Sequence, residues 1–518
     1  MKASRLRTKR TIWPAAAAVI ALGGAIVGAT LTVADSGVRR VTGADPYAGC
    51  TLGGPGYNYP SAEVEPYVAV NPANGNNLIG VWQQDRWTNG GAHGLAAGVS
   101  QDGGRSWSTV ALPFSTCAPS GQHYTRASDP WVSIGPDGTA YAIAINFDGS
   151  TARSGVATAT STDGGRTWHN ARELIADDDI NVLNDKESIT ADPVHAGTAY
   201  AVWDRVDSSH NNQPSYFSKT SDFGRTWTPA RAITSTADNV GVIGDIAVVN
   251  ARTGILYDFF DNFTLLPNGN VATANESVIK SGDGGATWSQ PIAIAADMDI
   301  GAFDPFTGAF LRTGSGLPDV AIDQHTGELY VVWEDARFSG GRFDEVALSR
   351  SLDGGATWST PKRVNRETGD AAVSPMVAVG ADGTVGVSYY DFRNATQSVD
   401  ESTLPTNYWL TTSRRGGNAF DTEEAIIGSP FDLKSAASAG GYFVGDYQGL
   451  AADGDAFVAF FAEATGTAAE GAEVTNRSDI FAKEIGASSV TSATDALVPA
   501  GGSRATSSAR AAHAAQLR

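Results

Sequence analysis

Acidic and guanidinium side chains recur at the ends of apolar runs in this sequence. The runs close as Trp82-Gln83-Gln84-Asp85-Arg86, Asn146-Phe147-Asp148, Trp203-Asp204-Arg205, Tyr257-Asp258, Trp333-Glu334-Asp335-Ala336-Arg337 and Tyr389-Tyr390-Asp391-Phe392-Arg393. Other apolar runs open on Glu65, Asp129, Glu187, Asp245, Asp319 and Asp446. Paired carboxyl groups can divide acid and base work between them, as glycosidic bond cleavage requires, and Glu187 with Asp204 is one such pair. A guanidinium fork grips a planar carboxylate through two parallel hydrogen bonds, which makes Arg86, Arg205, Arg337 and Arg393 candidate ligand-binding groups. Trp87 adds an aromatic face. Seven histidines and two cysteines fall at no metal-ligand spacing, so neither a metal nor another cofactor is expected. The acidic stretch Asp177-Asp178-Asp179, followed by Asp185 and Glu187, lacks the regularity of a calcium loop and reads as a solvated loop.

What positions these groups is a repeat. Five segments fit S/T-x-D-x-G-x-S/T-W: Ser100 to Trp107, Ser161 to Trp168, Thr220 to Trp227, Ser281 to Trp288 and Ser351 to Trp358. Their aspartates, Asp102, Asp163, Asp222, Asp283 and Asp353, recur about every 60–70 residues, and Ser413 to Phe420 is a decayed sixth copy. The motif describes a tight hairpin: the carboxylate accepts turn N–H bonds, Gly supplies positive φ, and Trp packs the hairpin on its neighbour. The five aspartates are therefore read as structural. Upstream of each box lies an apolar strand, a turn and a second strand, as in the runs beginning at Tyr67, Trp131, Val320 and Met376. Similar pairs near Ser188, Ile246 and Tyr447 bring the count to seven units of four antiparallel strands, an all-β propeller pattern. Strand alternation puts the acids and arginines on the face opposite the box turns.

The boxes make residues 60–486 resemble the sialidase-like, Asp-box (BNR-repeat) β-propeller superfamily of secreted proteins. The resemblance implies carbohydrate chemistry. Sialidases hold a sugar carboxylate with three arginines, for which Arg86, Arg205, Arg337 and Arg393 are available, and attack with a Tyr activated by a Glu. Here the implied couple is Tyr390 with Glu334, and the implied acid/base carboxyl is Asp129 or Asp85. Sialidases have six blades, whereas seven units are counted here, either because the arm after Asp35 closes the last one or because that unit merges with the first to leave six. The sialidase Arg-Ile-Pro tripeptide is absent, and Tyr57 to Pro66 contains no arginine. Two functional readings result: a glycoside hydrolase releasing a terminal sugar from extracellular glycans, and a noncatalytic propeller that binds carbohydrate or protein.

The chain as a whole agrees with export. Five cations, Lys2 to Arg10, precede an apolar run from Ala15 to Ala34, which predicts a signal peptide over 1–34 and no stable membrane insertion after its removal. Residues 35–59 form an N-terminal arm, expected to be tied to the first unit by a Cys50–Cys117 disulfide. Residues 487–518, rich in Ala, Ser and Arg, have no apolar period and are expected to be unstructured. A net charge of −20 argues against nucleic acid as a partner, while 42 % hydrophobic residues and 59 glycines in 518 suit a large core joined by many turns. A monomer acting on an extracellular glycan is expected.

Overall fold

Period-two runs rich in Val, Ile, Ala, Tyr and Trp form strands throughout, and glycine-bearing turns close them into antiparallel sheets. The computed structural model describes residues 37–119, 121–396, 399–414, 416–420, 422–466 and 476–486. The predicted signal segment and C-terminal tail fall outside them.

The protein is all-β and built of four-stranded antiparallel sets. Set one comprises Glu63–Val70, Leu78–Arg86, Ala92–Ser100 and Ser108–Ala111; set two, Arg126–Ile134, Ala140–Phe147, Arg153–Ser161 and His169–Asp178. A single pairing, Ala92 with Ala127, joins these two. Further sets run through Val182–Ala232, Val240–Ala296, Asp319–Arg363 and Ala372–Ala425. The last contains Gly449–Asp453, Ala456–Ala464 and Ser478–Gly486, and its fourth strand is Arg39–Arg40 from the N-terminal arm, paired with Ala482 and Phe481. The first strands of successive sets contact one another in chain order, and that of the last set contacts that of the first.

Second and third strands are covered on both faces by neighbouring sets, which is why Leu78–Arg86 and Ala92–Ser100 are buried along their whole length. Outer strands such as His169–Asp178 are largely exposed. Each box follows a third strand. In the first, Asp102 accepts the Ser106 amide at 2.9 Å, the Ser106 hydroxyl at 2.6 Å and the Ser100 hydroxyl at 2.9 Å. The same bonds recur at Asp163, Asp222, Asp283 and Asp353. The box tryptophans reach the preceding set, Trp288 against Phe217, Trp358 against Phe259, and Trp107 of set one against Phe460 of the last. Cys50 and Cys117 form the expected disulfide, tying the arm to the chain that follows set one.

Two insertions break the repeat. Ala302–Phe303 and Phe310–Leu311 from one join Ala437–Ser438 and Tyr442–Phe443 from the other in a small accessory sheet containing a parallel pairing of Leu311 with Tyr442.

Candidate active site

The first strands carry a recurrent irregularity. Their ladders skip two residues between Val64 and Tyr67, Ser128 and Trp131, Asp185 and Ser188, Ile243 and Ile246, and Val373 and Met376. The first skipped residue is left-handed each time: Glu65 (φ 53°), Asp129 (φ 51°), Lys186 (φ 45°), Gly244 (φ 82°) and Ser374 (φ 50°). Four of the five are not glycine, so the backbone holds a costly conformation at equivalent points of four sets, and such bulges re-aim side chains. Here they bring Glu65, Asp129 and Lys186 together.

Lys186 Nζ donates to Asp129 Oδ2 and Asp446 Oδ2, each at 2.8 Å, and stands 3.6 Å from Glu65 Oε1. Asp446 also receives a two-pronged grip from Arg312, Nε to Oδ1 at 2.9 Å and Nη2 to Oδ2 at 2.5 Å. Arg312 follows directly on the accessory sheet, and its guanidinium lies 4.5 Å from the Phe443 ring centroid, with that of Arg86 5.2 Å from the same ring. The side chain of Arg312 is 23 % exposed and that of Lys186 9 %, whereas Glu65 is buried, so solvent reaches the cluster past Arg312. Beneath it a cavity of about 40 Å³ is lined by Trp131, Tyr447, Ile246, Met376 and Pro318, with Asp245 and Asp319 among them. That is room for very few waters.

Electrostatically the carboxyls diverge. Burial, reinforced by Asp129, pushes Glu65 up to about 8. Burial also opposes ionisation of Asp129, but the Lys186 amine outweighs it and holds that carboxyl below its usual range. Arg312 and Lys186 do the same for Asp446, again against burial. Lys186 resists desolvation because Asp129, Asp446 and Glu65 surround it, and it stays protonated well above its usual range. One amine thus holds a carboxylic acid and two carboxylates together.

The residues singled out by sequence fare differently. Asp129 belongs to the cluster, and Arg86 lies beside it, donating to Gln83 Oε1 at 3.3 Å and to Gly91 O at 3.0 Å. The other arginines are already paired: Arg205 with Asp177, Arg337 with Asp335, and Arg393 with Asp391 and Glu423. Asp177, also bonded by Asn184, is thus engaged by protein groups. Tyr390 and Glu334 do occupy equivalent ladder positions with Asp204, but the structure does not join them. The Tyr390 hydroxyl donates to Ala462 O at 2.6 Å inside a cluster with Tyr408 and Phe431, and burial drives its ionisation far above the usual range. Glu334 accepts from the Ser374 amide at 2.8 Å and from Thr313 Oγ1 at 3.1 Å. Asp85 accepts from the Ser61 amide and pairs with His93. Trp87 is buried beneath Arg126, 4.4 Å from its ring centroid. Glu187 accepts from the Ile145 amide, and Asp204 from Gln213.

Sequence reasoning noted Glu65 and Asp446 as strand openers without assigning them roles, and it missed Lys186 and Arg312. Lys186 could have been found, since a cation stands where the other repeats carry Glu65 and Asp129. Arg312 lies in an insertion, outside any repeat column.

No family model and no curated protein matches the chain. Among solved structures, a Hadza microbial sialidase overlaps 81 % of this chain and 75 % of its own at 13 % identity and TM-score 0.44. An α-L-arabinofuranosidase of Fusarium graminearum overlaps 85 % and 97 % at 12 % identity and TM-score 0.44. A Penicillium chrysogenum α-L-arabinanase overlaps 82 % and 96 % at 11 % identity and TM-score 0.41. With every one of these scores below one half, they carry no assignment for this chain.

Proposed function

We propose that this chain is an exported, monomeric glycoside hydrolase on a seven-bladed propeller, releasing a terminal sugar from extracellular glycans at the cluster of Glu65, Asp129, Lys186, Arg312 and Asp446. Supporting the blade count are the four-stranded sets, the closure of the last by Arg39–Arg40, and the contact between the last and first sets. The disulfide favours an oxidising compartment.

The observation that carries the reading is the divided protonation around Lys186. Glycoside cleavage needs one carboxyl that still holds its proton at neutral pH and one that has lost it. Glu65 supplies the first and passes its proton to the glycosidic oxygen as that bond breaks. Asp129 supplies the second and stabilises the positive charge that develops on the sugar ring, or bonds to the anomeric carbon until water displaces it. Glu65 Oε1 stands 3.6 Å and Asp129 Oδ2 2.8 Å from the same nitrogen, so the acid and the carboxylate lie no farther apart than the sum of those two contacts. Retaining glycosidases separate their carboxyls by about 5–5.5 Å. Lys186 fixes both carboxylates, and Arg312 at the solvent side meets an incoming hydroxyl or carboxylate.

One observation favours the noncatalytic binding reading: Arg205, Arg337 and Arg393 are committed to neighbouring acids and leave no free arginine triad. A screen of the purified chain against chromogenic glycosides, a sialoside included, separates the two. Hydrolysis expects turnover that falls about 10²–10⁴-fold in Glu65→Gln and Asp129→Asn while the fold is kept. Absence of turnover in the wild type, with glycan retention intact in both variants, overturns hydrolysis in favour of binding.

A further inference from the structure

A cleft of about 650 Å³ opens beside the outer strands Lys362–Arg363 and Thr422–Ala425, which belong to successive sets. None of the residues lining it belongs to the Lys186 cluster. It lies where the repeat fails. At intact copies a box tryptophan fills the junction with the preceding set, as Trp288 does against Phe217 and Trp358 against Phe259. In the decayed sixth copy Phe420 stands in the tryptophan's place. This smaller ring packs on the core that the two sets share, and it lines the cleft as well.

The charges around the cleft are unbalanced. Arg205, Arg337 and Arg393 are spent on acids, but Arg363 and Arg366, which line the cleft, are not held in that way. Arg363 has a 3.5 Å approach to Glu345 Oε1, an oxygen that already accepts from Asn365 at 3.3 Å. Arg366 is exposed, and among the described residues its side chain makes no ion pair and no hydrogen bond. Glu423, the acid lining the cleft, is neutralised by Arg393, Nη1 to Oε2 at 2.8 Å and Nη2 to Oε1 at 3.0 Å, and also accepts from the Tyr389 hydroxyl. The cleft is therefore a positive site in a chain of net charge −20. Between the two arginines the backbone is fixed: the Val364 amide donates to Val346 O at 2.9 Å, and the buried Asn365 side chain accepts from the Val346 amide at 3.0 Å and donates to Glu367 O at 2.6 Å. Less ordering is then needed when the guanidinium groups meet a ligand.

We propose that this cleft binds a uronic acid unit of an anionic glycan. The guanidinium fork matches a planar carboxylate, which it grips through two parallel hydrogen bonds. Phe338 and Phe420, both partly buried along the cleft, offer ring surface to the apolar C–H face of a sugar. The volume falls within the roughly 300–1,000 Å³ of small-ligand sites. An acidic peptide would meet the arginines but has no sugar ring to lay on the two phenylalanines. The site deepens the glycan reading and rests on it, but it does not rest on hydrolysis: it holds the polymer away from the Lys186 cluster.

The test titrates the full chain with trigalacturonate, and in parallel with its methyl ester and with tetraglutamate, by calorimetry at low salt. Trigalacturonate is expected to bind, with an affinity that falls as salt is added, and the uncharged ester to bind at least about ten-fold more weakly. Arg363→Gln/Arg366→Gln changes two exposed side chains; it is expected to keep the wild-type Tm and to weaken trigalacturonate on the order of 100-fold. Arg366→Gln alone, which breaks no contact of the folded chain, is expected to weaken it about ten-fold. Glu65→Gln is expected to bind the probe as wild type does, so a failure of the hydrolysis reading leaves this site standing. No binding by wild type, wild-type affinity in the arginine variants, or lost affinity in Glu65→Gln overturns the site. So does tetraglutamate that binds as tightly as trigalacturonate, which would assign the cleft to acidic protein segments.

Discussion

The Asp-box turns and the Lys186 cluster use the same carboxyl chemistry to opposite ends. At the rim, Asp102 is half-buried and saturated by donors from its own turn, and the Ser106 hydroxyl and amide hold it down to about 2. At the inner strands, Glu65 is buried and pushed up to about 8 by desolvation and by Asp129. A turn aspartate satisfied locally has no free valence for a ligand, however often it recurs. A buried acid sharing one amine with two carboxylates has its protonation set by its neighbours, and this marks it as a candidate functional group. Repetition in this chain marks scaffold, and departures from repetition mark the candidate site.

Substitutions can break that contrast, and the largest effect is expected at Lys186. Lys186→Met leaves Asp129 and Glu65 without their buried cation and is expected to cost about 3–5 kcal/mol in denaturant unfolding, or to prevent folding. Next comes Cys50→Ser with Cys117→Ser, which releases the arm that completes the last set and is expected to cost about 2–5 kcal/mol. A pH series should show a broader effect. Glu65 and Glu334 keep their protons to about 8 in the folded chain, and Asp258 and Asp319 to about 7, against 4.5 for Glu and 3.8 for Asp when unfolded. Between those values the unfolded chain binds fewer protons than the folded one, so stability is present at low pH and lost as pH rises. Tm is expected to fall from about pH 5 to about pH 8, with a gentler slope in Glu65→Gln. The smallest effect belongs to the rim. Asp283→Asn, in an exposed box, is expected to lower Tm less than any of these changes and to leave activity per folded molecule unaltered.

The architecture was legible because its determinants are local. The box needs a carboxylate, a glycine and a tryptophan at fixed offsets, and Asp102 and Asp163 make in space the bonds that this spacing implies. Even the closing strand could be foreseen as one of two options, since the last unit ran out of residues. The site was less legible. Arg337 and Arg393 each stand two residues after the aspartate that ends a second strand, in the turn that follows, and fold back to pair with it. Read from sequence, those arginines look available; in the fold, their neighbours have taken them. Tyr390 satisfies its hydroxyl on Ala462, a partner on a different set that no local pattern reveals. The bulges at Glu65, Asp129 and Lys186 each shift register by one residue, two residues of the first strand standing opposite one of the second.

On the proposed reading Glu65 is the proton donor of an active cluster at the inner strands, and the pH dependence of kcat/KM on a hydrolysed glycoside decides it. The wild type is expected to lose activity on the alkaline side with an apparent pKa near the value of about 8 held by Glu65. That limb should vanish in Glu65→Gln, whose residual rate is flat with pH. An unchanged alkaline limb in Glu65→Gln, or wild-type activity that persists undiminished well beyond that pH, would contradict the assignment.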